Sequence, residues 1–204
     1  MVTLLLLFIF VICAAMVWMQ GFWNATLTMI CTVFAALLAT NYFEPAAAML
    51  DVAVPSFTFF FDFIALWLIF VVFYTILRLL CGLLSRHQMR FIKPVEIAGR
   101  SLMAVWVAWL MVCFTNMTLH TAPIPSNGFA RSFQSTPISG DFAGIAADRA
   151  WLGFMQSRTG EWGALSKAKV QEFDAKSEFI FKYHTRRAML ERQFDKTGSL
   201  RVSR

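Results

Sequence analysis

Charge is what the first half of this chain lacks. From Met1 to Phe43 no side chain is charged, and from Met1 to Thr118 there are five basic and four acidic residues. About a quarter of a soluble domain is charged, so a water-facing globular fold is excluded for this stretch. Metal-binding spacing is absent too. The four cysteines (Cys13, Cys31, Cys81, Cys113) fall in or beside apolar runs, none at a ligand spacing, and read as small apolar residues. The three histidines are scattered. There is no glycine-rich phosphate loop, no nucleophile–base pair in a recognisable motif and no basic DNA-reading motif. No catalytic residue, metal site, cofactor or nucleic-acid partner is therefore expected, and the chain is not read as an enzyme.

What is present is grease, unevenly spread. Hydrophobic residues make up 58% of the 204, with 22 Phe, 7 Trp and a mean hydropathy of +0.61; about 45–50% apolar is usual for a soluble domain. The other 13 Lys/Arg and 8 Asp/Glu lie in Leu119–Arg204. This composition predicts a membrane region followed by a polar tail.

A spanning helix needs about 20 mainly apolar residues. The first uncharged run is about twice that length and is broken by "WMQGFWN", where Gln20, Gly21 and Asn24 stand beside Trp18 and Trp23. Indole rings favour membrane interfaces, so this is a turn between two spans. Four spans are expected, at about 2–19, 22–42, 57–79 and 101–118, with a linker over 119–140 and a helical extramembrane tail over 141–204. The fold class is all-α: a four-transmembrane-helix polytopic protein with a polar, mainly helical tail. The first segment lacks the positive n-region and small-residue cleavage site of a signal peptide, so it reads as a retained helix.

Orientation follows from the short loops. The segment joining spans three and four carries Arg78, Arg86, Arg90, Lys93 and Arg100 against Glu96 alone, whereas the one joining spans two and three has Glu44 and Asp51 and no base. Basic short loops stay cytoplasmic. Both ends of the chain then lie outside, which in a bacterial inner membrane makes the tail periplasmic.

Lipid tails are as apolar as leucine, so spans associate through close packing and polar contacts. Span two offers a small-residue face: Gly21, Ala25, Thr28, Thr32, Ala35 and Ala39 recur every three or four residues. Span three is nearly all Phe, Leu, Ile and Val and is expected to face lipid over much of its surface. Asp62 interrupts it, in "FFFDF". Two readings compete. In one, Asp62 is a polar anchor, reached by water or hydrogen-bonded to Thr58, Thr40, Asn41 or Asn116; in the other it lines a cation pathway, the default for an intramembrane acid. Without a basic partner inside the spans it makes a poor proton relay, and the structural reading is preferred.

In the tail, "LHTAPIPSNGFARSFQSTPISGD" reads as an extended linker. Asp141 is placed as N-cap of a first helix around "FAGIAADRAWLGFMQSR". A second helix follows the "TGEWG" break, with Lys182, Arg186, Arg187 and Arg192 among its bases. It either rests on anionic headgroups or packs its apolar stripe on the first tail helix.

The "GFWNA" turn, the acid-bearing third span ending in "LRLL" and the "AGRSLMAVWVAWL" opening of the fourth resemble the colicin V production family of bacterial inner-membrane proteins. The likeness covers about residues 1–120. Where that family has Gly-Phe-x-x-Gly, this chain has Ala25 in the last place. Of the glycines that usually open the fourth span after Asn-Arg, only Gly99 and Arg100 remain, with Ser101 and Ala104 as small substitutes. "DRAWLGFMQSR" and "FIFKYHTRR" resemble an extension carried by a divergent branch. The resemblance implies a role in producing or exporting a small secreted toxin, or in envelope maintenance, and brings no catalytic residue. The expected partners are the lipid bilayer and other proteins, or further copies of the chain, met within the membrane. The alternatives are a small oligomeric channel or transporter with Asp62 in its path and, least favoured, a membrane-embedded enzyme.

Overall fold

A computed structural model describes residues 2–53, 58–85, 91–124, 146–159, 174 and 178–197. Among them every regular element is a helix: α1 (Val2–Trp18), α2 (Phe22–Ala53), α3 (Thr58–Leu84), α4 (Lys93–Thr121), α5 (Ala147–Thr159) and α6 (Phe179–Thr197). α2 packs chiefly on α3, and α1 on α4. α2 also packs on α4, which α5 flanks as well, with lighter contacts to α4 from α3 and α6.

Three helices outrun the expected spans. α2 continues eleven residues past Tyr42 in spite of Pro45. A proline inside a helix removes one rung and costs about 3 kcal/mol, but Ala46, Ala47, Ala48, Met49 and Leu50 follow it and all favour helix. α3 runs on to Leu84, and α4 begins at Lys93, with Pro94 in its first turn, where a missing N–H is harmless. Hydropathy locates the apolar part of a helix; propensity and caps decide where the helix stops. α4 also takes the first residues of the expected linker, to Thr121. In the tail α5 starts at Ala147. Asp141, expected to cap it, lies outside the described residues, as do Arg86 and Arg90.

The small-residue face is buried. Ala25, Ala35 and Ala39 have no exposed surface, and Thr28 and Thr32 almost none. A buried hydroxyl needs a partner. Thr32 Oγ1 donates to the Thr28 carbonyl at 2.7 Å and Thr40 Oγ1 to that of Ala36 at 2.8 Å, so these threonines are satisfied within their own helix. Phe43, Leu66, Phe70, Leu110, Phe114 and Met117 fill the space around that face. The far side of α3 is bare, with Leu68, Val71, Ile76, Leu79 and Leu83 exposed.

Gly21 sits at φ +81°, a left-handed conformation that glycine adopts without strain. The turn it makes is gripped by α4. Phe22 N–H donates to Glu96 Oε1 at 2.8 Å, placing a carboxylate on the N-terminus of α2. A Cβ on Gly99 would come within 2.5 Å of the Phe22 ring. The Gly-Phe of the turn and the Glu96/Gly99 pair of α4 are thus two halves of one contact.

Candidate functional site

The helix ends carry the polar chemistry. At one end, Trp18 Nε1 donates to Ser101 Oγ (3.1 Å) and Trp23 Nε1 to Ser85 Oγ (2.8 Å), while the Arg100 guanidinium stands 4.0 Å from the centroid of the Trp18 ring. Arg78, in the last two turns of α3, and Lys93 at the start of α4 belong to this end. At the opposite end lie Glu44 of α2, Asp62 of α3 and His120 of α4. Between the two levels, Phe22 to Glu44 and Asp62 to Leu84 each cover roughly 33 Å of helix axis, close to the hydrocarbon thickness of about 30 Å.

One helix ties the three acidic-end spans together. Along α6, Lys182 Nζ donates to Glu44 Oε1 at 2.6 Å, Arg186 Nη1 to Asp62 Oδ2, and Arg187 Nη2 to the His120 carbonyl at 3.3 Å. Spacing explains the arrangement: Lys182 and Arg186 are four apart and share a face, with Phe179 and Tyr183 beside them. Phe179 meets Phe43 edge-on with ring centroids 6.4 Å apart. Phe179 and Tyr183 are 4% and 3% exposed.

The three contacts differ in strength. Lys182 and Glu44 are each about half exposed, and such surface pairs contribute about 0–1 kcal/mol. Asp62 is 6% exposed. Removing the partner of a buried ion costs about 3–5 kcal/mol, so Arg186 is the contact on which the carboxylate depends. Tyr183 faces the same carboxylate. Burial, reinforced by the charges of Asp62 and Glu44, raises the Tyr183 hydroxyl above its ordinary value and keeps its proton in place. Arg187 is 7% exposed; burial lowers its guanidinium, which Glu191 partly offsets. Asp174 closes the N-terminus of α6, accepting from Glu178 N–H (2.6 Å) and Phe179 N–H (3.0 Å).

α5 adds a second attachment. Asp148 Oδ2 lies 2.9 Å from His120 Nε2, and Trp151 Nε1 donates to Thr40 Oγ1 at 3.1 Å. The Trp151 ring also lies edge-on to Phe114, centroids 5.7 Å apart. Burial raises the Asp148 carboxyl, but the hydrogen bond and charge of His120, with help from Arg149, outweigh it and leave the group below its usual value. Reading α5 from Asp148 to Trp151, the partners on α4 run back from His120 to Phe114, so the two helices are antiparallel.

Asp62 takes its charged partner from outside the spans. Thr40 serves Trp151, Asn116 lies buried within α4, and the tail supplies the basic group that the spans do not. α6 meets the bundle end directly, where sequence reading expected headgroups or the other tail helix. Sequence reasoning missed the Arg186, Lys182 and Asp148 contacts because their partners lie 124, 138 and 28 residues away. The available signal was the Lys182–Arg186 spacing on an aromatic face. Among the described residues no cluster of His, Cys, Asp or Glu could hold a metal ion.

Three helices long and apolar enough to cross a bilayer, within Phe22–Val52, Phe60–Leu84 and Lys93–Thr121, define an all-α integral membrane protein. A family model described as "Colicin V production protein" matches residues 2–142, and the chain belongs to that family. Neither curated proteins nor solved structures give a match.

Proposed function

We propose that the chain is a four-span bacterial inner-membrane protein. Its tail lies on the periplasmic side, and it acts without catalysis, supporting production or export of a colicin V-type toxin, or envelope maintenance, through contacts with other proteins. α1, with 17 residues, supplies the fourth span; its length of roughly 26 Å is at the short end of what crosses a bilayer. The basic residues Arg78, Lys93 and Arg100 stand at the end opposite Glu44, Asp62 and His120, and this supports an orientation with the tail outside. The observation that carries the reading is the capped end: α6 spends its basic face on Glu44, Asp62 and His120. An acid already paired with arginine is a poor wall for a cation pathway, which favours the scaffold over a channel through Asp62. The scaffold's partners are other proteins or further copies of the chain.

The test is an alkaline phosphatase fusion after Ser203, combined with protease shaving of spheroplasts. An active fusion and a cleavable tail are expected; a silent fusion and a protected tail would reverse the orientation. Toxin export by an Asp62→Asn strain then separates the mechanisms. A scaffold keeps most of its export, whereas a cation pathway loses it.

A further inference from the structure

Away from the capped end, two nucleophilic side chains are in contact. Cys31 of α2 and Cys81 of α3 hold their sulfurs 3.6 Å apart, the Cys31 thiol donating to Cys81 Sγ. They are 50 residues apart in sequence, so spacing along the chain conceals the pair. A disulfide bond is about 2.05 Å long, and closure needs an approach of about 1.5 Å.

The pair lies in hydrocarbon. Trp23 and Ser85, hydrogen-bonded to each other, mark the basic end of α2 and α3. Cys81 is four residues inward from Ser85 and Cys31 eight inward from Trp23. Those steps are roughly 6 and 12 Å along the helix axes, within a core about 30 Å thick. Cys31 is 1% exposed. Cys81 is half-buried, and Leu79, Leu80 and Leu83 beside it are exposed on the bare side of α3. An oxidant dissolved in the bilayer therefore has a route to Cys81 that one dissolved in water lacks.

A cation stands beside the sulfurs. Arg78 lies three residues before Cys81, a spacing that puts both on one face of α3, and its charge reaches Cys31. None of the ion pairs among the described residues engages Arg78. The thiolate is the reactive form of cysteine, and a neighbouring arginine stabilises it. We infer that Cys31 and Cys81 form a redox-active dithiol, with Arg78 stabilising the thiolate, whose electron acceptor is a quinone dissolved in the bilayer. Two S–H bonds break and one S–S bond forms. Two electrons and two protons pass to the quinone, which leaves as the quinol. This stoichiometric step goes beyond the scaffold role and depends on neither its orientation nor its partners.

The test uses the full chain, its thiols reduced, in phosphatidylcholine vesicles containing decylubiquinone, whose fully substituted ring resists thiol addition. Quinol should appear as maleimide labelling of the denatured chain is lost at Cys31 and Cys81 and kept at Cys13 and Cys113. Cys31→Ser and Cys81→Ser, each a near-isosteric change, should leave the quinone oxidised. Arg78→Gln should slow quinol formation about tenfold, the change in thiolate population that one adjacent charge brings. Oxidised glutathione in the water should leave the thiols free. The assignment is overturned if no quinol forms, if its formation survives either cysteine substitution or is unchanged by Arg78→Gln, or if oxidised glutathione closes the bond as fast.

Discussion

Replacing Arg186 by Gln removes the cation facing Asp62 and nearly preserves the length of the side chain. Complete burial would set the cost at about 3–5 kcal/mol, and full exposure at about 0–1 kcal/mol. The side chains are 27% (Arg186) and 9% (Asp62) exposed, so water reaches the arginine but scarcely the acid. A loss of about 2 kcal/mol in the docking of α6 follows, a factor of about thirty in its opening equilibrium. Asp62→Asn should cost less, about 1 kcal/mol, because the released guanidinium can turn to water. The double variant removes the orphaned charge as well, so it should be less damaging than Arg186→Gln alone. Amide exchange of α6 in nanodiscs reads the opening directly. If Arg186→Gln exchanges no faster than Asp62→Asn, or the double variant equals the sum of the singles, the carboxylate does not depend on the tail.

Further outcomes test the rest of the structure. Gly99→Ala must push the Phe22 ring aside from 2.5 Å and should destabilise the fold by about 1–3 kcal/mol. Gly82→Ala, which meets nothing within 4 Å, should be neutral or stabilising by up to about 1 kcal/mol in the same thermal melt. Cys31 and Cys81 hold their sulfurs 3.6 Å apart, so a membrane-permeant oxidant should join α2 to α3 and block maleimide labelling of both; Cys31→Ser should prevent the cross-link. Asp148 has a folded-state value below its ordinary 3.8. Its contribution is therefore complete above that value and lost as pH falls through the lower one. Melts of the unmodified chain should lose this increment only below about pH 4, and Asp148→Asn should flatten that acid limb.

The membrane region is legible in the sequence because its signal is local. Charge-free runs, the Gly21 turn and the recurring small residues of α2 each report on neighbours within a few positions, and the helices follow. Helix ends are less legible, since Ala46–Leu50 extend α2 beyond the point where its hydropathy falls. The capped end is hardly legible at all. Nothing local to "FFFDF" shows that its counter-charge comes from "KYHTRR", because the pairing depends on a tail docking across more than a hundred residues.

Asp62 and tail docking are consequently linked in both directions. With α6 in place, Arg186 and Tyr183 satisfy the carboxylate; with α6 withdrawn, a buried acid stands alone at the edge of the hydrocarbon. Any partner that binds the tail by lifting it from the bundle must supply a cation of its own or let water reach Asp62. By the reciprocity of linkage, whatever neutralises Asp62 makes the tail easier to take by the same factor. An acid in an apolar span then needs no transported ion to account for it: Arg186 of the docked tail is its partner.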